Sequence, residues 1–140
     1  DRAARIMLRH SANACTDVTG FGLLGHLNEM CTGSNLSAII NYTNIPLILG
    51  TENFAKDNVI PGGTKNNFAF LKDNLHFLDS IQEYEKLILA DAQTSGGLII
   101  TCNKSNTKNM LLELNQKTSF ESKLIGEFKS KQEYNIYCKR

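Results

Sequence analysis

The chain has 140 residues, with 15 Lys and Arg against 14 Asp and Glu, a formal net charge of +1 and 41% hydrophobic residues. That length suits one domain burying about two-thirds of its unfolded surface, so a single core is expected. The balanced charge gives no electrostatic pull toward nucleic acid or an anionic membrane, and no apolar run approaches a bilayer span, so neither is expected as a partner.

Asp1 to Ser11 reads as an amphipathic helix with Ala3, Ile6, Met7 and Leu8 on one side. It has no cap, no initiator Met and no signal peptide, so a chain cut from something longer is expected. Ala14 to Gly22, rich in Thr and Gly, reads as a loop. A helix follows over Phe21 to Cys31, with Leu23, Leu24, Leu27, Met30 and Cys31 on its buried face and Gly33 as a left-handed stop. Leu36 to Tyr42 favours a strand, and Pro46 to Asn58 a loop and a short helix. Pro61 to Thr64 opens a helix whose apolar face carries Phe68 and Leu71.

Ile81 to Ala90 reads as helix, Asp91 to Gly97 as a polar turn, and Leu98 to Cys102 as a buried strand. Lys104 to Gln116 is a helix with Thr107, Met110, Leu111 and Leu114 in one stripe. Ser122 to Phe128 and Tyr134 to Cys138 are strands joined by a Lys-rich turn. The class expected is α+β, a mixed or antiparallel sheet with helices packed on it, partly ferredoxin-like. Residues 1–140 form one domain, without internal repeat or linker.

Cys15, Cys31, Cys102 and Cys138 are far apart and sit in or beside apolar runs, with none of the close pairs a zinc site needs. Free, mostly buried thiols in a reducing, cytoplasmic compartment are expected. Cys15 reads as a buried thiol and not a nucleophile, having no Lys, Arg or His neighbour in sequence. His26 reads as packing on a helix side, and His10 and His76 as isolated.

Three glycine-bearing segments carry the chemistry. In Cys15-Thr16-Asp17-Val18-Thr19-Gly20-Phe21-Gly22-Leu23-Leu24-Gly25-His26, the glycines spell G-x-G-x-x-G. A dinucleotide fingerprint would need a preceding strand and an acid about twenty residues on, where this chain has Ile45, so that reading is rejected. Asp17, read as lying just before a helix N-terminus, suits a hard cation that itself binds phosphate, with nearby backbone amides for the anion. Asp17 or Thr19 serving simply as a helix cap is the alternative. The second segment, Pro61-Gly62-Gly63-Thr64-Lys65-Asn66-Asn67, offers amides, a hydroxyl and a charge ahead of a helix, or is a plain turn with a cap. The third, Asp91-Ala92-Gln93-Thr94-Ser95-Gly96-Gly97, is either an anion-binding nest or a tight turn into the sheet, with Gly97 under a passing backbone.

Together these segments resemble selenophosphate synthetase (selenide, water dikinase) in its C-terminal domain. The run Cys15 to His26 matches that family nearly letter for letter. Pro61 to Thr64 with Asn67-Phe68, Gln93 to Leu98, and Ile125-Gly126-Glu127 also fit. The likeness spans the whole chain, with two departures: Asn66 stands where the family usually has Arg, and Ala92 where it usually has Pro. Relatives in the same superfamily, aminoimidazole ribonucleotide synthetase and a hydrogenase-maturation dehydratase, share the architecture and are the nearest alternatives. A binding domain without catalysis is another.

The resemblance implies the fold of the aminoimidazole ribonucleotide synthetase-like C-terminal domains. It implies a reaction in which ATP, selenide and water give selenophosphate, AMP and orthophosphate, with magnesium and a potassium dependence. It places the reactive Cys or selenocysteine, its Lys and most metal-binding acids in an N-terminal domain outside this chain, which alone is expected to be inactive. It assigns Asp17 to magnesium and the ATP phosphates. It also puts Thr16, Thr19, Gly20, Gly62, Gly63, Thr64, Thr94, Ser95, Gly96 and Gly97, more weakly, along the cleft. A cytoplasmic homodimer of the full-length protein is implied too.

Overall fold

The computed structural model describes residues 2–140. The main sheet is built around strand β2 (Leu36–Asn41). Strand β5 (Gly126–Ser130) pairs antiparallel along one edge of β2, and strand β6 (Ile136–Lys139) runs parallel along the other. Strand β3 (Leu75–Phe77) completes the order β3-β6-β2-β5. A separate antiparallel ribbon joins strand β1 (Ala14–Asp17) to strand β4 (Leu98–Thr101), with Ala14 opposite Thr101 and Asp17 opposite Leu98.

Helix α2 (Gly22–Ser34) lays Leu24, Leu27 and Cys31 against the main sheet, where they meet Ala38, Ile40, Ile136 and Cys138. Each large buried side chain there contributes about 1.5–3 kcal/mol. Helices α4 (Gly62–Leu71) and α5 (Glu83–Leu89) pack on each other and on α2, and α3 (Thr51–Lys56) packs on α5. The start of α5 is held by Glu85, fully buried, which accepts from the Gln82 backbone N–H at 2.8 Å and pairs with Arg140 at 3.1 Å. Helix α6 (Lys104–Lys117) packs on α1 (Arg2–Arg9), and together they cover one face of the β1–β4 ribbon.

The α+β class with a mixed sheet is as expected, but several details differ. A second small core forms from Ile6, Met110 and Leu114, because the ribbon needs its own cover. The first helix spans Arg2–Arg9 and buries Ile6, while Leu8 is 82% exposed; Asp1 lies outside the described residues. The segment read as a loop holds β1, whose pairing partner is remote in sequence. Gly33 lies within α2, and Asn35 is the left-handed cap, with φ of 54°. The strands β5 and β6 do not pair with each other; β2 lies between them, and β4 joins β1 instead. Strand β4 is half covered, with Ile99 buried and Leu98 50% exposed. Among the described residues no helix is long and apolar enough to cross a membrane.

Candidate functional site

Asp17 is the last residue of β1. Side chains alternate along a strand, so Thr16 and Val18 point with Ile99 into the main core, while Cys15 and Asp17 share the opposite face with Leu98 and Ile100. Helices α1 and α6 cover that face at Ile100 and Cys102. Their cover ends before Leu98, leaving Asp17 exposed and, among the described residues, without an ion pair.

Asp17 does not lie directly before a helix. Residues 18–21 intervene, and α2 begins at Gly22 with a packed first turn. Gly22 has φ of +69°, and a Cβ there would sit 2.7 Å from the Ala90 carbonyl. The first turn therefore packs on the end of α5 and offers no open anion site, so the expected bare amides beside Asp17 are not those of the helix.

What the fold does bring together is the three glycine-bearing segments. The Thr19 carbonyl accepts from the Gly22 N–H at 2.9 Å and the Gln93 N–H at 3.0 Å. The Val18 N–H donates to the Gly97 carbonyl at 2.9 Å. Asn67 Nδ2 donates to the Gly20 carbonyl at 2.9 Å and to the Ala90 carbonyl, just ahead of the third segment, at 3.1 Å. The Thr64 hydroxyl donates to Asp91 Oδ1, and Gln93 Nε2 donates to Asp91 Oδ2 at 3.1 Å. Asp91 thus holds the second segment to the third.

This knot sorts the expected residues. Asp17, Gly20, Gly62, Gly63, Thr94, Ser95 and Gly97 are exposed. Thr64 is not available to a phosphate: it is fully buried with its hydroxyl on Asp91. Thr16 faces the core side of the ribbon, away from Asp17. Thr19 is engaged with His26, its Oγ1 lying 2.9 Å from Nε2. Gly62 and Gly63 form the first turn of α4 behind Pro61, instead of preceding the helix. Gly96, and not Gly97, is the glycine under a passing backbone: a Cβ on it would lie 2.2 Å from the Val18 carbonyl oxygen, whereas Gly97 has open space.

Asn67, Asp91 and Gln93 are the residues that sequence reasoning passed over as site-builders. The available signal was their polarity inside the matched segments, but Asn67 and Asp91 find partners remote in sequence, Gly20 and Ala90 for the one and Thr64 for the other. His26 is buried as expected, with both ring nitrogens partnered. His10 is not isolated; its Nε2 lies 2.8 Å from Glu113 Oε2. His76 stacks near Tyr134 and Tyr137.

The thiols are all free, but Cys15 is exposed instead of buried. Partial burial and the neighbouring Asp17 carboxylate raise its pKa, which argues against a nucleophile. Burial pushes Cys31 up to about 11 and Cys138 up to about 12.

Among the described residues no group of three or more His, Cys, Asp or Glu could hold a metal ion. Magnesium takes about six oxygens, often one or two carboxylates with phosphates and water. The exposed Asp17 therefore fits a cation that arrives with its own phosphate ligands, and does not fit a cation caged by this chain alone.

Residues 1–139 match the family described as AIR synthase related protein, C-terminal domain. A protein named selenide, water dikinase from Carboxydothermus hydrogenoformans is 45% identical over 117 residues, covering 84% of this chain and 34% of that protein. Its namesake from Caldanaerobacter subterraneus is 39% identical over 138 residues, 98% of this chain and 40% of the relative. The one from Aliarcobacter butzleri is 37% identical over 124 residues, 89% of this chain and 36% of the relative. The chain thus spans between about a third and two-fifths of the length of these relatives.

Proposed function

The chain belongs to the AIR synthase related protein family as its C-terminal domain, and from that premise we propose that it forms one wall of a magnesium–ATP cleft in a selenide, water dikinase. On this reading the whole protein makes selenophosphate from ATP, selenide and water, releasing AMP and orthophosphate. The remainder of the polypeptide supplies the Cys or selenocysteine, the Lys and the other metal-binding acids. A cytoplasmic homodimer with a potassium requirement completes the reading.

The observation that supports it is the open Asp17 carboxylate at the rim of three interlocked polar loops. Magnesium, when bound, neutralises charge on phosphate oxygens as a phosphoryl group departs. Asp17 would hold the cation from this side. The exposed Gly20 and Gly97, having no side chain, would let a polyphosphate approach the backbone, and Thr94 and Ser95 would donate hydroxyl protons to its oxygens. Asn66, exposed on α4, offers an amide where an Arg would offer a charged fork, so a phosphate contact there would be weaker.

AMP release by the full-length protein, measured with and without selenide, tests the reading. Selenide-dependent AMP, abolished in Asp17→Ala, is the expected result. AMP formed equally without selenide would count against the reading.

A further inference from the structure

Thr19 sits in the loop that leads from Asp17 to α2, and its hydroxyl meets a side chain from within that helix. His26 is 8% exposed, with Nε2 2.9 Å from Thr19 Oγ1 and Nδ1 3.1 Å from Glu29 Oε2. The Phe21 ring packs beside it, with centroids 5.8 Å apart. A carboxylate can only accept, so Nδ1 carries the proton and donates to Glu29. In the neutral ring Nε2 is then the acceptor, and the Thr19 hydroxyl donates to it. Glu29 therefore fixes the tautomer that Thr19 needs.

The backbone of Thr19 is the other half of the arrangement. Its carbonyl accepts from Gly22 and from Gln93, so the residue gripped by His26 also docks the third glycine segment onto the first. Freeing the hydroxyl would release a loop whose preceding residues, Asp17 and Val18, set the rim of the candidate site. An imidazole only 8% exposed costs solvation unless both nitrogens are satisfied, and here both are.

We propose that His26 is a positioning residue: through Thr19 it fixes the loop after Asp17 and, with it, the direction in which the Asp17 carboxylate is presented. The ligand half of this statement rests on the reading of Asp17 as a metal–phosphate ligand; the loop half does not.

The test uses His26→Gln, His26→Leu and Thr19→Val in this chain, with two readouts. The first, without ligand, is hydrogen exchange at the Gly22 and Gln93 amides, both of which donate to the Thr19 carbonyl. Loss of one hydrogen bond changes an opening equilibrium by about two- to tenfold. His26→Leu and Thr19→Val should each speed exchange at these two amides by about that factor. The double variant should exchange no faster than either single one. Gln places an amide near the Nε2 position and so keeps a partner for Thr19 while losing Glu29; exchange in His26→Gln should stay within about twofold of the parent. The second readout is the Kd for Mn2+–ATP, which should weaken by the same factor in His26→Leu and Thr19→Val and recover in His26→Gln.

Unchanged exchange at Gly22 and Gln93 in Thr19→Val, or additive effects in the double variant, would overturn the proposal. Should His26→Leu fail to fold, Thr19→Val cuts the same bond from the loop side and decides alone. If the parent chain binds no Mn2+–ATP while the exchange pattern holds, the metal reading falls and the Thr19 tether is upheld.

Discussion

Asp17→Asn removes one unit of charge while keeping the shape of the side chain, and it separates ligand binding from folding. Asp17 is exposed and, among the described residues, has no ion pair, so the substitution should leave stability within about 0.5 kcal/mol. The effect on a cation–phosphate complex is of another size. Unit charges about 4 Å apart interact by about 1 kcal/mol in water and about 4 kcal/mol at a partly screened surface site. Asp17 stands at the open end of the ribbon, beside a Leu98 that is 50% exposed, so the lower half of that range applies. A loss of about 1–2 kcal/mol corresponds to about a 5- to 30-fold weaker Kd. The assay is calorimetric or paramagnetic titration of the chain with Mn2+–ATP, run beside a urea melt on the same samples. Equal Kd values for parent and variant would refute the assignment. An unfolding shift of several kcal/mol would show instead that Asp17 is structural.

Other outcomes follow from the same geometry. Thr64→Val strips a buried donor from Asp91 and should destabilise by about 1–3 kcal/mol in urea melts, with Mn2+–ATP affinity changing only insofar as the loops loosen. Gly96→Ala forces a methyl to within 2.2 Å of the Val18 carbonyl oxygen and should fail to fold or melt far lower, whereas Gly97→Ala meets open space and should fold normally by circular dichroism. Glu113 has its pKa lowered by the hydrogen bond from His10 and by Arg9 and Lys117. The unfolded state therefore takes up its proton first on acidification. This contribution is fully present above the ordinary Glu pKa of about 4.3 and is lost as pH falls through the lower folded value. Urea melts from pH 6 to pH 3 should show the slope diminished in Glu113→Gln.

The legible parts of the fold were those whose signal is local. Helix α6 was readable because Met110 and Leu114 repeat at one turn, and β2 because the run from Leu36 is short, largely apolar and partly alternating in sequence. Strand β1 was not, since a four-residue strand of Ala, Cys, Thr and Asp has little β character until Leu98–Thr101 lies beside it. The loss of β3 has the same cause: Leu75–Phe77 becomes a strand only by pairing with β6. The candidate site divides likewise. Its three segments stood out by their glycines, and Asp17 by its carboxylate. Thr64 as a phosphate contact, and Gly97 as the glycine under a passing backbone, failed because burial and close approach depend on partners remote in sequence: Asp91 takes the Thr64 hydroxyl, and Val18 lies against Gly96.

Asp17 and Asp91 show why one domain can carry its share of such a site without endangering its fold. A carboxylate in the first turn of α2 would be buried under Ala90 and Asp91, where an unpaired charge is costly. Moved back to the end of β1, Asp17 stays in water, so the fold gains nothing from it and loses nothing when it changes. Asp91 has the opposite position: partly buried, with Thr64 on one oxygen and Gln93 on the other, it secures the loops and has less capacity left for a cation. One aspartate therefore holds the rim together and the other remains open to a ligand. A lone open carboxylate binds a hydrated cation weakly, and the same carboxylate opposite a second wall, with water excluded, interacts several times more strongly at fixed distance because the effective dielectric falls. On the proposed reading, weak binding by this chain and tighter binding by a two-walled cleft would be the same interaction in two solvents.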